Sequence, residues 1–244
     1  MNTSPLDNIR IVLSHTSHAG NIGATARAMK TMGLKSLYLV NPQSFPDQEA
    51  DTRAVSARDL LGHAKVCGSI DQALENTVLA AALTSRSREF EHETFDARAG
   101  AKILLKHAQH HPVAVVFGAE ASGLTTAEAS KCPLKIVIPT NPDYASLNLA
   151  SAVQVMAYEL HMALAQAGPA KPWQTEPATL DEIELFYRHL EQVMIRIGFL
   201  NPQQPKKLVQ RLRRLCARAR LKKEEVNILR GMLKAIEKRL SGKP

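Results

Sequence analysis

Aromatic side chains are scarce in this 244-residue chain, at 5% of residues, and no apolar run approaches the ~18 residues that span a membrane. The opening MNTSPLDNIR has no apolar stretch of the secretory-signal kind. A membrane protein or an exported one is therefore not expected, and a cytoplasmic one is. Cysteines are few: Cys67, Cys132 and Cys216 are odd in number, far apart, and in no C-x-x-C or Cys/His spacing. They read as reduced structural thiols, and neither zinc nor any other metal is expected. Also missing are G-x-G-x-x-G and the P-loop, so dinucleotide and nucleoside-triphosphate sites lose their usual support.

What is present is enough hydrophobic residue, 45%, for a real core, and a net charge of +8 that is unevenly spread. From Leu180 onward there are sixteen Lys+Arg against seven Asp+Glu; residues 1–179 hold fifteen against sixteen. The basic excess thus lies entirely in the last quarter, a pattern expected of a neutral body with a polyanion-binding tail. A solvated helical face is the bland alternative.

Along the chain, apolar strands alternate with helical segments. IRIVLS (9–14), SLYLV (36–40), a short strand near KVCG, VLAAALTS (78–85), VAVVFG (113–118) and LKIVIP (134–139) read as strands. NIGATARAMKTM, residues 51–64, SIDQALENT, ARAGAKILLKHAQ, TTAEASK and residues 146–166 read as helices, and the polar RSREFEHETFD shows no periodicity of either kind. Strands that are apolar without alternation imply a parallel α/β sheet covered on both faces. The expected organisation is a domain over 1–166, a proline-containing linker over 167–179, and a basic helical extension over 180–244.

Ligands of such sheets gather beyond the carboxyl ends of the strands. Three loops there stand out: AGNIGATARA (19–28), FGAEASGL (117–124) and NPDYASLNLA (141–150). Each alone could be turn chemistry. Together they place Asn21, Arg27, Glu120, Ser146 and Asn148 at loop–helix junctions. In SLNLASAVQV, Ser146 reads as an N-cap and Asn148 as an amide within the first helical turn, where asparagine has little propensity and needs partners.

N-x-G-x-x-x-R in NIGATAR, G-x-E-x-x-G-L in GAEASGL, and SLNLASAVQV resemble, in order, the three motifs of the TrmH-like SPOUT methyltransferases. Within that family the chain is similar to bacterial enzymes that methylate the ribose 2′-oxygen of tRNA nucleotide 32, a cytidine or uridine. The likeness covers residues 8 to about 165, and the basic tail fits in placement. It implies a C-terminal trefoil knot, a homodimer with the site at the subunit interface, tRNA as substrate, and S-adenosylmethionine as methyl donor. By motif, donor contacts fall on Leu83, Thr84, Ser85, Gly118, Ile138, Ala145, Ser146 and Leu147. The catalytic set falls on Arg27, Asn21, Glu120, Ser146 and Asn148, with Asn148 bracing the knot and ordering Arg27 and Glu120. Close relatives often carry an arginine where this chain has Ala119. His15 and His18, in the adjoining loop, read as polar loop groups. A ribosomal-RNA target, or an RNA-binding SPOUT module without turnover, are the alternatives.

Overall fold

The computed structural model describes residues 4–84, 93–168, 175–204 and 207–241. The chain divides into two compact units, Met1–Ala170 and Lys171–Pro244.

The first unit is built on seven strands: β1 (Ile9–Ser14), β2 (Ser36–Val40), β3 (Lys65–Cys67), β4 (Leu79–Leu83), β5 (Glu93–Asp96), β6 (Val113–Phe117) and β7 (Leu134–Val137). Every pairing is parallel, in the order β3-β2-β1-β6-β4-β7-β5. The connecting helices are α1 (Ala19–Thr31), α2 (Gln48–Ala54), α3 (Arg58–Gly62), α4 (Ile70–Leu74), α5 (Ala97–Ala108) and α6 (Thr126–Ser130), with α7 (Leu149–Ala165) after the last strand. Side chains alternate across a strand. Ile9, Ile11, Leu13, Leu37, Leu39, Ala81, Val113, Val115 and Ile136 share one core with α1, α5 and α7. Val12, Val40, Ala80, Ala82, Ala114 and Val116 are as deeply buried on the opposite face. Burial on both faces explains the unbroken apolar strands.

Close packing constrains particular residues. A Cβ on Gly23 would stand 2.0 Å from the Ala50 carbonyl oxygen, so only glycine lets α1 and α2 meet there. Cys132 is fully buried, and burial pushes its thiol up to about 12, as befits an inert core residue. The helical segment over 51–64 is in fact broken at Val55, whose φ of 53° separates α2 from a 3-10 turn and α3. Strand β5 arises at the end of the polar stretch RSREFEHETFD, where the sequence predicts no element. It lies at the sheet edge on β7 alone, so its residues ETFD need no apolar alternation.

The second unit contains α8 (Leu180–Arg196), α9 (Leu208–Ala219) and α10 (Lys223–Leu240) around a small core of Ala178, Phe186, Tyr187, Val193, Val226 and Leu233. Helix α8 opens on a capping box formed by Thr179 and Glu182. Arg220, at φ 49°, ends α9 in the left-handed conformation and separates it from α10. No helix among the described residues is long and apolar enough to cross a membrane.

Candidate active site

Strands β1, β6, β4 and β7 are neighbours and end together: Leu13 pairs with Phe117, Phe117 with Leu83, and Leu83 with Ile136. The loops leaving their carboxyl ends therefore share one rim, where parallel sheets hold ligands. Gly118 follows β6 directly. A Cβ there would lie 2.1 Å from the Leu124 nitrogen, because the loop folds back on itself with the Gly123 N–H donating to the Ala119 carbonyl at 2.7 Å. This tight return carries Glu120 toward the loop between β1 and α1.

Glu120 is the hub. Its Oε2 accepts from the Ser17 N–H (3.0 Å) and hydroxyl (2.8 Å), and its Oε1 from the His18 N–H (3.3 Å) and Asn21 Nδ2 (2.8 Å). Partial burial pushes the carboxyl up, but the Ser17 N–H, the Asn21 amide, its own backbone N–H and the Ser17 hydroxyl outweigh it and hold it at about 2. Asn21 in turn accepts, through Oδ1, from Asn148 Nδ2 at 3.0 Å. Asn148 Oδ1 accepts from the N–H groups of Ala150 (2.9 Å) and Ser151 (3.4 Å). One hydrogen-bonded relay thus runs from the β6–α6 loop through α1 to the start of α7, joining the three motifs.

Here the structure corrects the expected start of the last helix. Asn148, not Ser146, is the N-cap of α7, and it lies outside the first turn. Its amide is exposed within the chain, not buried. The carboxamide has two ends, and each is used: the oxygen caps the helix and the nitrogen reaches Asn21.

A second carboxylate holds the same loop from below. Glu128 Oε1 accepts from the Ser14 hydroxyl and lies 3.5 Å from His15 Nδ1, while Oε2 accepts from the Thr125 N–H (2.6 Å) and hydroxyl (2.7 Å). Burial pushes this carboxyl up; the Ser14 and Thr125 donors more than offset it and leave it below its ordinary value. His15 takes φ 54°, with its N–H donating to the Val40 carbonyl at 2.8 Å. Ser14, Ser17 and Glu128 are not among the residues the sequence points to. The T-x-x-E spacing of Thr125 and Glu128 announces a capping box. No local signal reveals that Glu128's other oxygen reaches residue 14.

The remaining expected residues separate into three groups. Leu83, Thr84, Gly118 and Ile138 lie at the ends of β4, β6 and β7, all half-buried, and the Thr84 N–H donates to the Ile136 carbonyl at 3.1 Å. Ala145, Ser146 and Leu147 are exposed on the loop before α7; Thr140 Oγ1 reaches the Ala145 carbonyl at 3.5 Å, and Ser146 forms no hydrogen bond among the described residues. Ser85 lies outside the described residues. Arg27 is exposed on α1, and nothing among the described residues pairs with its guanidinium. The structure therefore brings together Asn21, Glu120 and Asn148, and it leaves Arg27 and Ser146 outside that relay. No group of three His, Cys, Asp or Glu side chains able to hold a metal occurs among the described residues.

The parallel α/β unit, with its three loops tied at one rim, is that of a methylase. Residues 8–158 match the SpoU rRNA Methylase family, and the chain belongs to it. Residues 181–244 match the C-terminal domain of the tRNA methyltransferase TrmJ. The chain is 48% identical over 243 residues to the tRNA (cytidine/uridine-2'-O-)-methyltransferase TrmJ of Klebsiella pneumoniae, covering 98% of this chain and 100% of that one. It is 46% identical over 236 residues to the protein of the same name from Pectobacterium atrosepticum, covering 96% and 98%. The crystal structure of TrmJ from Z. mobilis ZM4 is similar with a TM-score of 0.83 at 30% identity, over 93% of this chain and 98% of that chain.

Proposed function

We propose that this protein transfers a methyl group from S-adenosylmethionine to the ribose 2′-oxygen of a tRNA cytidine or uridine, at position 32 of the anticodon loop. The observation that carries this reading is the relay from Glu120 through Asn21 to Asn148, in a chain that belongs to a methylase family and resembles TrmJ over nearly its whole length. The rim suits the methyl donor. Leu83, Ile138 and Leu147 give apolar surface, and none of the expected contact positions carries a charge, which fits a cofactor gripped by backbone groups. When bound there, the donor supplies an electrophilic methyl on sulfonium sulfur. The methyl would pass from that sulfur to the ribose oxygen, S-adenosylhomocysteine leaving, while the hydroxyl proton would go to phosphate or water.

Glu120 is a poor acceptor for that proton, since it is ionised down to about pH 2 and its oxygens already receive four donors. Its role is to fix Ser17, His18 and Asn21, and through Asn21 the start of α7. A guanidinium is no better a base near neutrality. Arg27 instead grips a substrate phosphate and stabilises the forming alkoxide. The protein works as a homodimer in the cytoplasm. Tyr144 and Leu147, 79% and 41% exposed on the loop before α7, are apolar side chains at the site's rim that a partner subunit would cover. Sedimentation of a fully active species at monomer mass would refute the dimer.

Digestion of unmodified tRNA incubated with protein and S-adenosylmethionine, followed by nucleoside mass spectrometry, tests the activity. 2′-O-methylcytidine or 2′-O-methyluridine is expected from the anticodon-loop fragment. Methylation of ribosomal RNA alone would move the target, and no methylation of either RNA would refute the enzyme.

A further inference from the structure

The second unit leaves apolar surface that its small core does not use. Val226, Leu233 and, in part, Leu229 turn one side of α10 toward that core. Ile228, Met232 and Ile236 lie on another side and are 64%, 59% and 39% exposed. Their four-residue spacing keeps them within about 40° of one line along the helix, one on each successive turn. On α8 the exposed Leu185 and Ile195 stand ten residues apart, the scattered kind that needs no explanation. The three on α10 make a continuous strip.

The ends of the strip carry charges of opposite sign. Glu225 lies seven residues before Met232 and Arg239 seven after it, both about 20° from the same line. Both are exposed. One Glu225 oxygen accepts from the Lys222 N–H at 2.8 Å, while the Arg239 guanidinium has no ion pair or hydrogen bond among the described residues. Counted from Met232, the face reads acid at −7, isoleucine at −4, isoleucine at +4 and base at +7. It is symmetric in position and opposite in charge.

Such a face is complementary to itself when a second copy lies antiparallel across it. A two-fold axis through Met232 sets Ile228 on Ile236 of the partner subunit and Glu225 on Arg239 of the partner subunit, each contact occurring twice. A parallel pair would instead set Glu225 on the partner's Glu225 and Arg239 on the partner's Arg239. Lys234, two residues from Met232 and so about 200° around the helix, stays in solvent. We propose that the second units of two copies pair antiparallel through this face of α10. One helix pair covers less than the ~1,000 Å² of a lasting interface, so the contact rests on the homodimer reading above, in which the copies are already held together.

The test is disulfide trapping in the full chain, with linked peptides identified by mass spectrometry so that Cys67, Cys132 and Cys216 are told apart from an introduced thiol. Met232→Cys sits on the axis and should link to its own copy at least about tenfold faster than Lys234→Cys, since a disulfide needs Cα atoms within ~7 Å. Ile228→Cys alone should not link, because the two copies of that position lie eight residues, ~12 Å, apart along the helix; mixed with Ile236→Cys it should. Arg239→Glu should slow the Met232→Cys link severalfold, and added salt should narrow that gap. These positions are exposed, and melting temperatures matching wild type would show that the fold is intact. Equal rates for Met232→Cys and Lys234→Cys, or linkage of Ile228→Cys to its own copy, would overturn the pairing. A bond from Met232→Cys to Cys67 would assign the face to the first unit and overturn it as well. Sedimentation of the wild type at monomer mass strikes the homodimer reading and the pairing with it, whereas a dimer in which Met232→Cys does not link strikes the pairing alone.

Discussion

In the unit Met1–Ala170, the carboxylates near the strand ends are occupied by neighbours: Glu120 by Ser17, His18 and Asn21, and Glu128 by Ser14 and Thr125. In the unit Lys171–Pro244, Arg211 and Arg218 stand exposed with no partner of opposite sign among the described residues. The first arrangement fixes positions, because hydrogen bonds act only at contact distance and in a set geometry. The second creates a field, which acts at a distance and fades as salt rises. The contrast divides the labour that a nucleic-acid-modifying protein needs, geometry for the reacting atoms and charge for the polymer. It also makes the two halves separable by experiment.

Arg27 is where that division is most exposed to failure, because its charge has no partner among the described residues of a unit in which Glu120 and Glu128 are both held. If it serves the reaction, Arg27→Ala should lower turnover ~10²-fold or more while S-adenosylmethionine binds within a few-fold of wild type. Arg27→Lys should recover little, since an ammonium lacks the two-pronged grip. Calorimetry and single-turnover methylation on the same samples would check both halves. Near-normal turnover, or outright loss of cofactor binding, would place Arg27 elsewhere.

A smaller effect is expected from deleting the chain from Leu180 onward. Methyl-donor binding should persist, because Leu83, Gly118, Ile138 and the loop before α7 lie in the other unit. Affinity for tRNA should fall about tenfold or more, and the salt slope should flatten by roughly 0.7–0.9 for each phosphate the tail no longer neutralises. An unchanged slope would show that the field of the tail plays no part.

Acid should reveal the internal pairing of the first unit. The Glu120 carboxyl is held at about 2, below its ordinary 4.5, so its contribution to stability is complete above about pH 4.5 and is lost as pH falls toward 2. Glu128 is shifted in the same direction. Glu120→Gln should cost about 1 kcal/mol near neutrality, through donors left facing an amide, and should melt with a shallower pH dependence between 4.5 and 2. Parallel pH profiles for the variant and wild type would mean that Glu120 is not what the loop leans on.

Much of this is legible in the sequence because it is local. Apolar strands without alternation specify a parallel sheet, and the three motifs specify which loops matter. Strand β5 is hidden, because ETFD carries no apolar period and owes its strand state to β7. The Glu128–Ser14 hydrogen bond spans 114 residues and leaves no mark on the spacing of either segment. The start of α7 falls two residues later than the sequence predicts, because serine and asparagine cap helices about equally well and only the tertiary partner decides between them. That partner is Asn21, 127 residues away.

Asn148 therefore has two jobs, and the smallest of the expected effects separates them. Asn148→Ala removes the cap and should cost about 1 kcal/mol, together with the link to Asn21. Asn148→Asp keeps an oxygen to accept from Ala150 and Ser151 and adds a negative charge at the helix N-terminus, which the dipole favours. It cannot donate to Asn21 Oδ1, so nothing then orients the Asn21 amide toward Glu120 from the α7 side. If α7's cap were all that mattered, the Asp variant would match wild type in both melting temperature and turnover. If the relay positions the site, the Asp variant should melt at or near the wild-type temperature yet turn over as slowly as the Ala variant. Melting curves and single-turnover rates on the two variants decide it, because stability follows the oxygen of residue 148 and catalysis follows its nitrogen.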